Sequence, residues 1–167
     1  MQQVSLGGVG EVSIWEFSGH ENYFMLYDHF IGNSNCIHVV MFSLAESLSL
    51  QMARVTFWLT FLQSRIPPVE PLGDSGRSHK PAYVMLVGSH LDTAKRISGA
   101  PALAANTEKL RLEVMERFGH VFTIEENILM MDSVAAGSQE IKTFKNLLQQ
   151  RKQQLIEVGA TGTATRQ

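Results

Sequence analysis

Polar residues that could do chemistry follow apolar stretches at three places in the sequence. "WEFSGHE", 15–21, places a carboxylate, a glycine and a histidine after a β-rich run. "GSHLD", 88–92, and "MDS", 131–133, place hydroxyl and carboxylate groups after two further apolar runs. Carboxylates can bind metal ions or accept N–H groups, histidine can orient a proton, and glycine lets a ligand approach the backbone. These three stretches are therefore the candidates for a ligand site.

The elements that must position these stretches alternate between strands and helices. Apolar periodicity predicts strands at 9–15, 36–44, 82–88 and 127–133, and helices at 21–31, 47–65, 106–119 and 139–158. Residues 67–81 and 96–106 are predicted as loops. Strands separated by helices imply a parallel sheet, in which ligands bind at the carboxyl ends of the strands. The side chains expected at that edge are Glu16, Ser43, Ser89, Asp92 and Asp132.

Composition limits the class of protein. The chain has 167 residues, 44% apolar and 18% charged, which predicts one globular domain over 1–158 and a disordered tail over 159–167. A net charge of −2 without a Lys/Arg block argues against nucleic-acid binding. Cys36 is the only cysteine, which excludes an internal disulfide. We also expect no signal peptide and no membrane span, and hence a cytoplasmic protein.

The candidate stretches resemble motifs of one family. "WEFSGHE" is similar to the W-D-x-x-G-Q-E segment of Ras-like GTPases, in which a DxxG turn meets the γ-phosphate. "GSHLD" resembles their guanine-reading N-K-x-D or T-H-x-D box, and "MDS" stands where a weaker base-contacting loop lies. With the aromatic run "ENYFMLYDHF", the chain resembles the Roc domain, the Ras-like module of complex proteins, most of all that of death-associated protein kinase. The resemblance spans residues 12–155.

This resemblance implies a fold and a function. The fold is a three-layer, Ras-like (P-loop NTPase type) parallel sheet with helices on both faces. The function is that of a regulatory module in a larger, kinase-type signalling protein, with GTP or GDP and Mg²⁺ as cofactors. Its implied partners are the neighbouring domains of that polypeptide and, as a further option, a second copy in a homodimer. No structural metal is implied.

The same resemblance assigns roles to individual residues. Glu16 and Gly19 fall in the turn that senses phosphate and Mg²⁺, and His20 falls at the catalytic position that orients water. The residues assigned to base binding are Ser89, His90, Asp92 and Ser133. Glu16 replaces the family's aspartate, and its additional methylene changes the geometry available to a metal ion.

Each assigned residue also has an ordinary structural interpretation. Gly19 could simply turn the chain, and His20 could be an exposed turn residue. Asp92 could cap a turn or helix instead of reading the N–H groups of a base, and His90 could be a turn histidine.

A phosphate loop is missing from the sequence. No G-x-x-x-x-G-K-[ST] occurs, and "LGGVGE", 6–11, lacks the lysine and hydroxyl that hold phosphate and Mg²⁺. By the resemblance, the first strand and the phosphate loop would precede Met1. We therefore expect weak or lost nucleotide binding and no hydrolysis by this chain alone. Without that first strand, the strands at 9–15 and 36–44 must close up, or an apolar edge is left open.

A second function is suggested by the helix predicted at 47–65. One apolar stripe suffices to dock a helix on a sheet, yet Leu50, Phe57 and Phe61 form a second. This stripe is either core beneath a neighbouring loop or a surface for another domain. In the latter case the chain is a pseudo-GTPase module for protein interaction or dimerisation, without nucleotide.

Overall fold

The fold was analysed in a computed structural model, which describes residues 2–6, 10–17, 19, 23–27, 31, 36–66, 81–132 and 137–163. The strands are β1 (Gln2–Leu6), β2 (Gly10–Ile14), β3 (Ile37–Ser43), β4 (Tyr83–Ser89), β5 (Thr123–Ile124) and β6 (Leu129–Met130). The helices are α1 (Phe24–Tyr27), α2 (Leu48–Gln63), α3 (Leu91–Ser98), α4 (Ala100–Phe118) and α5 (Gln139–Thr163).

A parallel sheet built around β4 confirms the predicted α/β class. Along one edge β4 pairs with β3, and along the other it pairs first with β5 and then with β6, always in parallel. The register places Ser43 opposite Ser89. The last residues of β3 and β4 therefore meet at the carboxyl edge of the sheet.

Both faces of β4 are buried. On one face Val84 and Leu86 belong to the core cluster that contains Val55 and Leu59 of α2. The opposite face carries Tyr83, over whose ring the guanidinium of α5 residue Arg151 lies at 4.8 Å. Helices on each side of a parallel strand explain why β4 is apolar at consecutive positions rather than at alternate ones.

The strand predicted at 9–15 is confirmed, but its predicted place in the parallel sheet was wrong. It forms β2, which pairs with β1 in an antiparallel, two-stranded sheet with Val4 opposite Val12. Only three residues separate the two strands, and a short connection suits antiparallel neighbours, whereas parallel ones need a crossover. β1 is not predicted by its sequence, because "QQVSL" carries a weak strand signal.

The loop predicted at 96–106 was also wrong. It contains the end of α3 and the first turns of α4, separated by Gly99 with a φ of 75°. Alanine is the strongest helix former, and proline is accepted in a first turn, where Pro101 lies. The predicted end of this helix at Gly119 is confirmed.

Other boundaries were only partly described. The helix predicted at 21–31 is described over α1, and most of the loop predicted at 67–81 lies outside the described residues. α5 continues to Thr163, and the domain boundary at 158 stays a prediction.

Within the described ranges, no helix is both long and apolar enough to span a membrane.

Candidate functional site

The carboxyl edge of the sheet carries a hydrogen-bonded cluster of Ser43, Ser89 and His90. The Nδ1 of His90 lies 2.9 Å from Ser89 Oγ and 3.4 Å from Ser43 Oγ. Ser89 Oγ donates its own proton to the Phe42 carbonyl over 3.0 Å, so it can only accept from the histidine. In the neutral ring, the network thus assigns the proton to Nδ1 and leaves Nε2, on an exposed side chain, as an acceptor.

The backbone at His90 is held in an uncommon conformation. Its φ of 59° lies in the left-handed region, and it is the one non-glycine residue with positive φ in the described part of the chain. Such a conformation costs a residue with a Cβ roughly 1–2 kcal/mol. The sharp turn joins β4 directly to α3 and sets Asp92 in the first turn of that helix.

Asp92 presents an exposed carboxylate beside this turn. Thr93 Oγ1 donates to it over 3.4 Å, and Arg96 forms an ion pair with it at 3.5 Å. Within the described residues no backbone N–H donates to Asp92, and the N-cap position of α3 belongs to His90. The cap interpretation of Asp92 therefore has no supporting hydrogen bond. Its side chain is 54% exposed, and a ligand that binds both carboxylate oxygens would replace the contacts with Thr93 and Arg96.

A shallow cavity of about 310 Å³ lies next to the cluster. Its lining consists of Met41, Phe42, Ser43, Glu46, Arg54 and Ser89. Arg54 is paired with Glu46 at 2.8 Å, so its charge is already neutralised. The loop that carries Glu46 is tied down by buried Gln51, whose Nε2 donates to the carbonyls of Leu44 and Glu46 over 3.2 and 2.8 Å. Among the described residues that line this cavity, the one cation is thus already paired.

Glu16 and Gly19 do not join this cluster. Phe17, next to Glu16, packs its ring on Tyr27 at 4.7 Å, and Tyr27 packs in turn on Phe24. Phe24 contacts Phe61 in the C-terminal half of α2. Because α2 connects two parallel strands, it runs antiparallel to β3, and its C-terminal half lies near the amino end of the sheet, far from the carboxyl edge. No hydrogen bond or ion pair between described residues connects Glu16 or Gly19 to the cluster. The clustering predicted for Glu16 was therefore wrong, because β2 is outside the parallel sheet.

Gly19 is not required by the local fold. Its φ lies outside the left-handed region, and a Cβ there would meet no atom of the described residues within 4 Å. A turn that only glycine can adopt is thereby excluded at this position.

Two assigned residues, His20 and Ser133, lie outside the described residues. The end of β6 does reach the cluster, since Leu91 N donates to the Met131 carbonyl over 3.4 Å. Asp132 follows at this edge, as predicted.

The described residues form no cluster of metal ligands at this edge. Among them, no group of three or more His, Cys, Asp or Glu side chains is arranged to hold a metal ion. The accessible acceptors at Asp92 and His90 instead suit the N–H groups of an organic ligand.

The second apolar stripe of α2 divides between core and surface. Phe61 is buried at 9% exposure, between Phe24 and Trp58, with the Arg65 guanidinium 3.5 Å above its ring. Leu50 and Phe57 are 50% and 45% exposed. Phe61 is therefore part of the core, whereas Leu50 and Phe57 belong to the surface.

Comparison with known proteins connects the chain to a kinase. The chain is 30% identical over 148 residues to the death-associated protein kinase dapk-1 of Caenorhabditis elegans. It is similar to one segment of a larger protein. The aligned residues are 87% of this chain but 10% of that relative. No protein-family model and no solved structure matches the chain.

Proposed function

We propose that the chain is a Roc-type, Ras-like regulatory module of a larger, kinase-type signalling protein and that its carboxyl edge reads a guanine base weakly. The observation that carries this proposal is the arrangement at the end of β4. A strained turn at His90 fixes the imidazole against Ser89 and leaves the Asp92 carboxylate exposed beside it. The similarity to a segment of a death-associated protein kinase supports the family and the setting in a longer chain.

Base reading follows from the hydrogen-bonding capacity of these groups. A carboxylate has two acceptor oxygens, which match the adjacent N–H groups on one edge of guanine. Adenine offers no such pair of donors to a carboxylate, so discrimination would come from Asp92. The His90 ring is positioned by the hydrogen bond between its Nδ1 and Ser89 Oγ. It would pack against the base and, in its neutral form, offer Nε2 as an acceptor.

Phosphate binding and hydrolysis are not part of the proposal. The sequence lacks the phosphate-loop motif, and the Arg54 charge is already neutralised by Glu46. Glu16 and Gly19 have no described connection to the base-reading residues. A nucleotide bound only through its base would bind weakly, because the phosphates supply much of the charge-assisted hydrogen bonding in such sites.

The test is a titration of the chain with a fluorescent guanine nucleotide, with an adenine nucleotide as competitor. We expect saturable binding that Asp92→Ala weakens at least about tenfold, which corresponds to ~1.4 kcal/mol. Glu113→Ala is a matched control, because Glu113 is also a helical carboxylate paired with an arginine four residues on. The proposal fails if a folded sample does not bind, or if adenine nucleotide competes equally.

The second candidate is a protein-interaction or dimerisation module that binds no nucleotide. The specific observation in its favour is the pair of exposed apolar side chains, Leu50 and Phe57, on one side of α2. Large apolar side chains grouped at a surface are typical of interaction sites.

A further inference from the structure

The last turn of α3 lies at the surface of the protein. Its residues, 95–98, are all exposed, whereas the buried residues of the helix, Leu91 and Ala94, come before them. This turn is therefore held by backbone hydrogen bonds, such as the one that Gly99 N donates to the Lys95 carbonyl over 3.0 Å, more than by packing. A helix end with little buried apolar surface opens locally at a low free-energy cost.

The hydroxyl of Ser98, the last residue of this turn, is free to react. Among the described residues it forms no hydrogen bond, and the side chain is exposed. Hydroxyls on other helices donate to the backbone, as Thr107 Oγ1 does to the Leu103 carbonyl over 2.8 Å and Thr143 Oγ1 to the Gln139 carbonyl over 2.9 Å. Ser98 therefore gives up no contact when its oxygen acts as a nucleophile.

Two cations precede this hydroxyl at a fixed spacing. Lys95 and Arg96 stand three and two residues before Ser98, and no other serine or threonine in the sequence has a lysine or arginine at both positions. Thr56 has Arg54 two residues before it, but it is half-buried within α2. Protein kinases distinguish their substrates by such charge patterns, because acidic residues of the kinase pair with the basic residues. The spacing therefore fits a kinase that selects basic segments.

Neither cation is held firmly by the fold. Lys95 forms no salt bridge with any described residue. Arg96 pairs with Asp92 at 3.5 Å and donates to Thr93 Oγ1 over 3.1 Å, yet its side chain is 73% exposed. An ion pair that is exposed to this degree contributes little to stability. A carboxylate of a kinase can therefore take the place of Asp92 at small cost.

The residue after Ser98 separates its turn from the next helix. Gly99 has a φ of 75° and is both the last cap of α3 and the first cap of α4. Because α3 and α4 are separate helices, residues 95–98 can extend into the groove of a kinase while α4 keeps its own hydrogen bonds. Leu103 of α4 and Leu91 of α3 stay in the core during this opening.

We propose that Ser98 is phosphorylated by a protein kinase that selects basic residues, and that the phosphate unwinds the last turn of α3. The kinase supplies a nucleoside triphosphate, and Ser98 Oγ attacks its γ-phosphorus. A bond forms between Oγ and this phosphorus while the bond from the phosphorus to the bridging oxygen breaks. The hydroxyl proton passes to a base of the kinase, and the nucleoside diphosphate leaves. The proposal goes beyond both candidate functions and depends on neither.

The phosphate would lie at the unfavourable end of α3. It adds about two negative charges where the helix already carries partial negative charge on its last carbonyls. Lys95, three residues before Ser98, can pair with the phosphate and offset part of this repulsion. The remaining repulsion favours the extended form of residues 95–98. Because Arg96 reaches Asp92 across one helical turn, unwinding would also separate that ion pair.

The first test treats the full chain with the catalytic subunit of cAMP-dependent protein kinase and radiolabelled ATP, and mass spectrometry locates the phosphate. We expect phosphate on Ser98, no label at this position in Ser98→Ala, and a rate at least about tenfold lower in Arg96→Ala. Arg117→Ala is a matched control, because Arg117 is also exposed and paired with a carboxylate four residues earlier, Glu113, but is followed two residues later by Gly119. Circular dichroism shows whether each variant remains folded. A folded chain without phosphate on Ser98, or equal rates for wild type and Arg96→Ala, would overturn the proposal.

The second test compares amide hydrogen exchange in the phosphorylated and the unmodified chain. Exchange at residues 96–99 should become roughly threefold faster, because the added charge weakens the last turn of α3. Exchange at Leu110, buried in the middle of α4, should stay the same. Unchanged exchange at 96–99 in a chain that carries the phosphate would overturn the unwinding. Neither test uses a guanine nucleotide, so their failure leaves base reading standing, and a chain that binds no guanine nucleotide still tests Ser98.

Discussion

Arg151 of α5 donates from Nε and Nη2 to one carboxylate oxygen of Glu125, over 3.2 and 3.0 Å. The Tyr83 hydroxyl of β4 donates to the same oxygen. Burial, and then the hydrogen bond to Glu125, raise the pKa of Tyr83, so its hydroxyl stays a donor at any ordinary pH. Glu125 is itself buried, and its carboxylate therefore links the sheet to the last helix.

Glu125→Gln should lower the free energy of unfolding by about 2 kcal/mol. The amide keeps the shape of the side chain but replaces three charge-assisted hydrogen bonds by weaker ones. Urea unfolding monitored by circular dichroism measures the change. Glu126→Gln alters the exposed neighbour and should change stability by less than about 0.5 kcal/mol. Equal effects of the two variants would show that the Glu125 carboxylate does not tie α5 to the sheet.

Stability should depend on pH through His38. Burial lowers the pKa of His38, and in the described part of the chain its buried Nε2 has no hydrogen-bond partner. The unfolded chain takes up a proton near its ordinary pKa of about 6.5, whereas the folded chain resists it. The stability contributed by neutral His38 is therefore present above about pH 6.5 and lost as the pH falls towards the folded pKa.

A variant isolates this contribution. His38→Gln removes the titrating group, so its free energy of unfolding should decline less between about pH 7.5 and 5.5 than that of the wild-type chain. Each unit by which the folded pKa lies below the unfolded one contributes ~1.4 kcal/mol to the difference. The other histidines are the same in both proteins, so their contribution cancels. Parallel pH profiles of the two proteins would contradict the prediction.

Gly88 and Gly19 should differ strongly in how much stability the same substitution costs. A Cβ on Gly88 would lie 2.6 Å from Cγ and Cδ2 of buried Leu44, whereas a Cβ on Gly19 would meet no described atom within 4 Å. Gly88→Ala should therefore cost about 1–3 kcal/mol of unfolding free energy, and Gly19→Ala less than about 0.5 kcal/mol. Thermal unfolding of both variants checks this. Similar melting temperatures would mean that Leu44 moves aside without cost.

The strands were predictable where the signal is local. Consecutive apolar residues identify β3 and β4 as strands with two covered faces, and the structure confirms both. The partner of β2 was not predictable from its own residues, because pairing depends on what the rest of the chain offers. The start of α4 was available in the sequence, since Pro101 among alanines is typical of a first turn.

The candidate site was also predictable only where it follows from a local sequence pattern. Ser89 and His90 follow a recognisable strand, so their place at the carboxyl edge could be expected. The contact between Ser43 and His90 depends on the register of β3 against β4, which no local pattern contains. Gln51 was missed because a buried glutamine on a helix has no distinguishing spacing, and its role appears only through the carbonyls it meets.

The left-handed turn at His90 allows its conformational and ligand-binding roles to be separated. Asparagine accepts positive φ more readily than other residues with a Cβ, whereas a β-branched residue does not. His90→Val should therefore be less stable than His90→Asn by about 1–2 kcal/mol in urea unfolding. His90→Asn keeps the turn and the position of Asp92 but removes the imidazole ring that would pack against the base. If the carboxyl edge reads a base, guanine nucleotide binding should weaken in His90→Asn even though its fold is retained. Equal stability of the two variants would show that the turn at 90 relaxes, and unchanged binding by His90→Asn would remove the ring from the site.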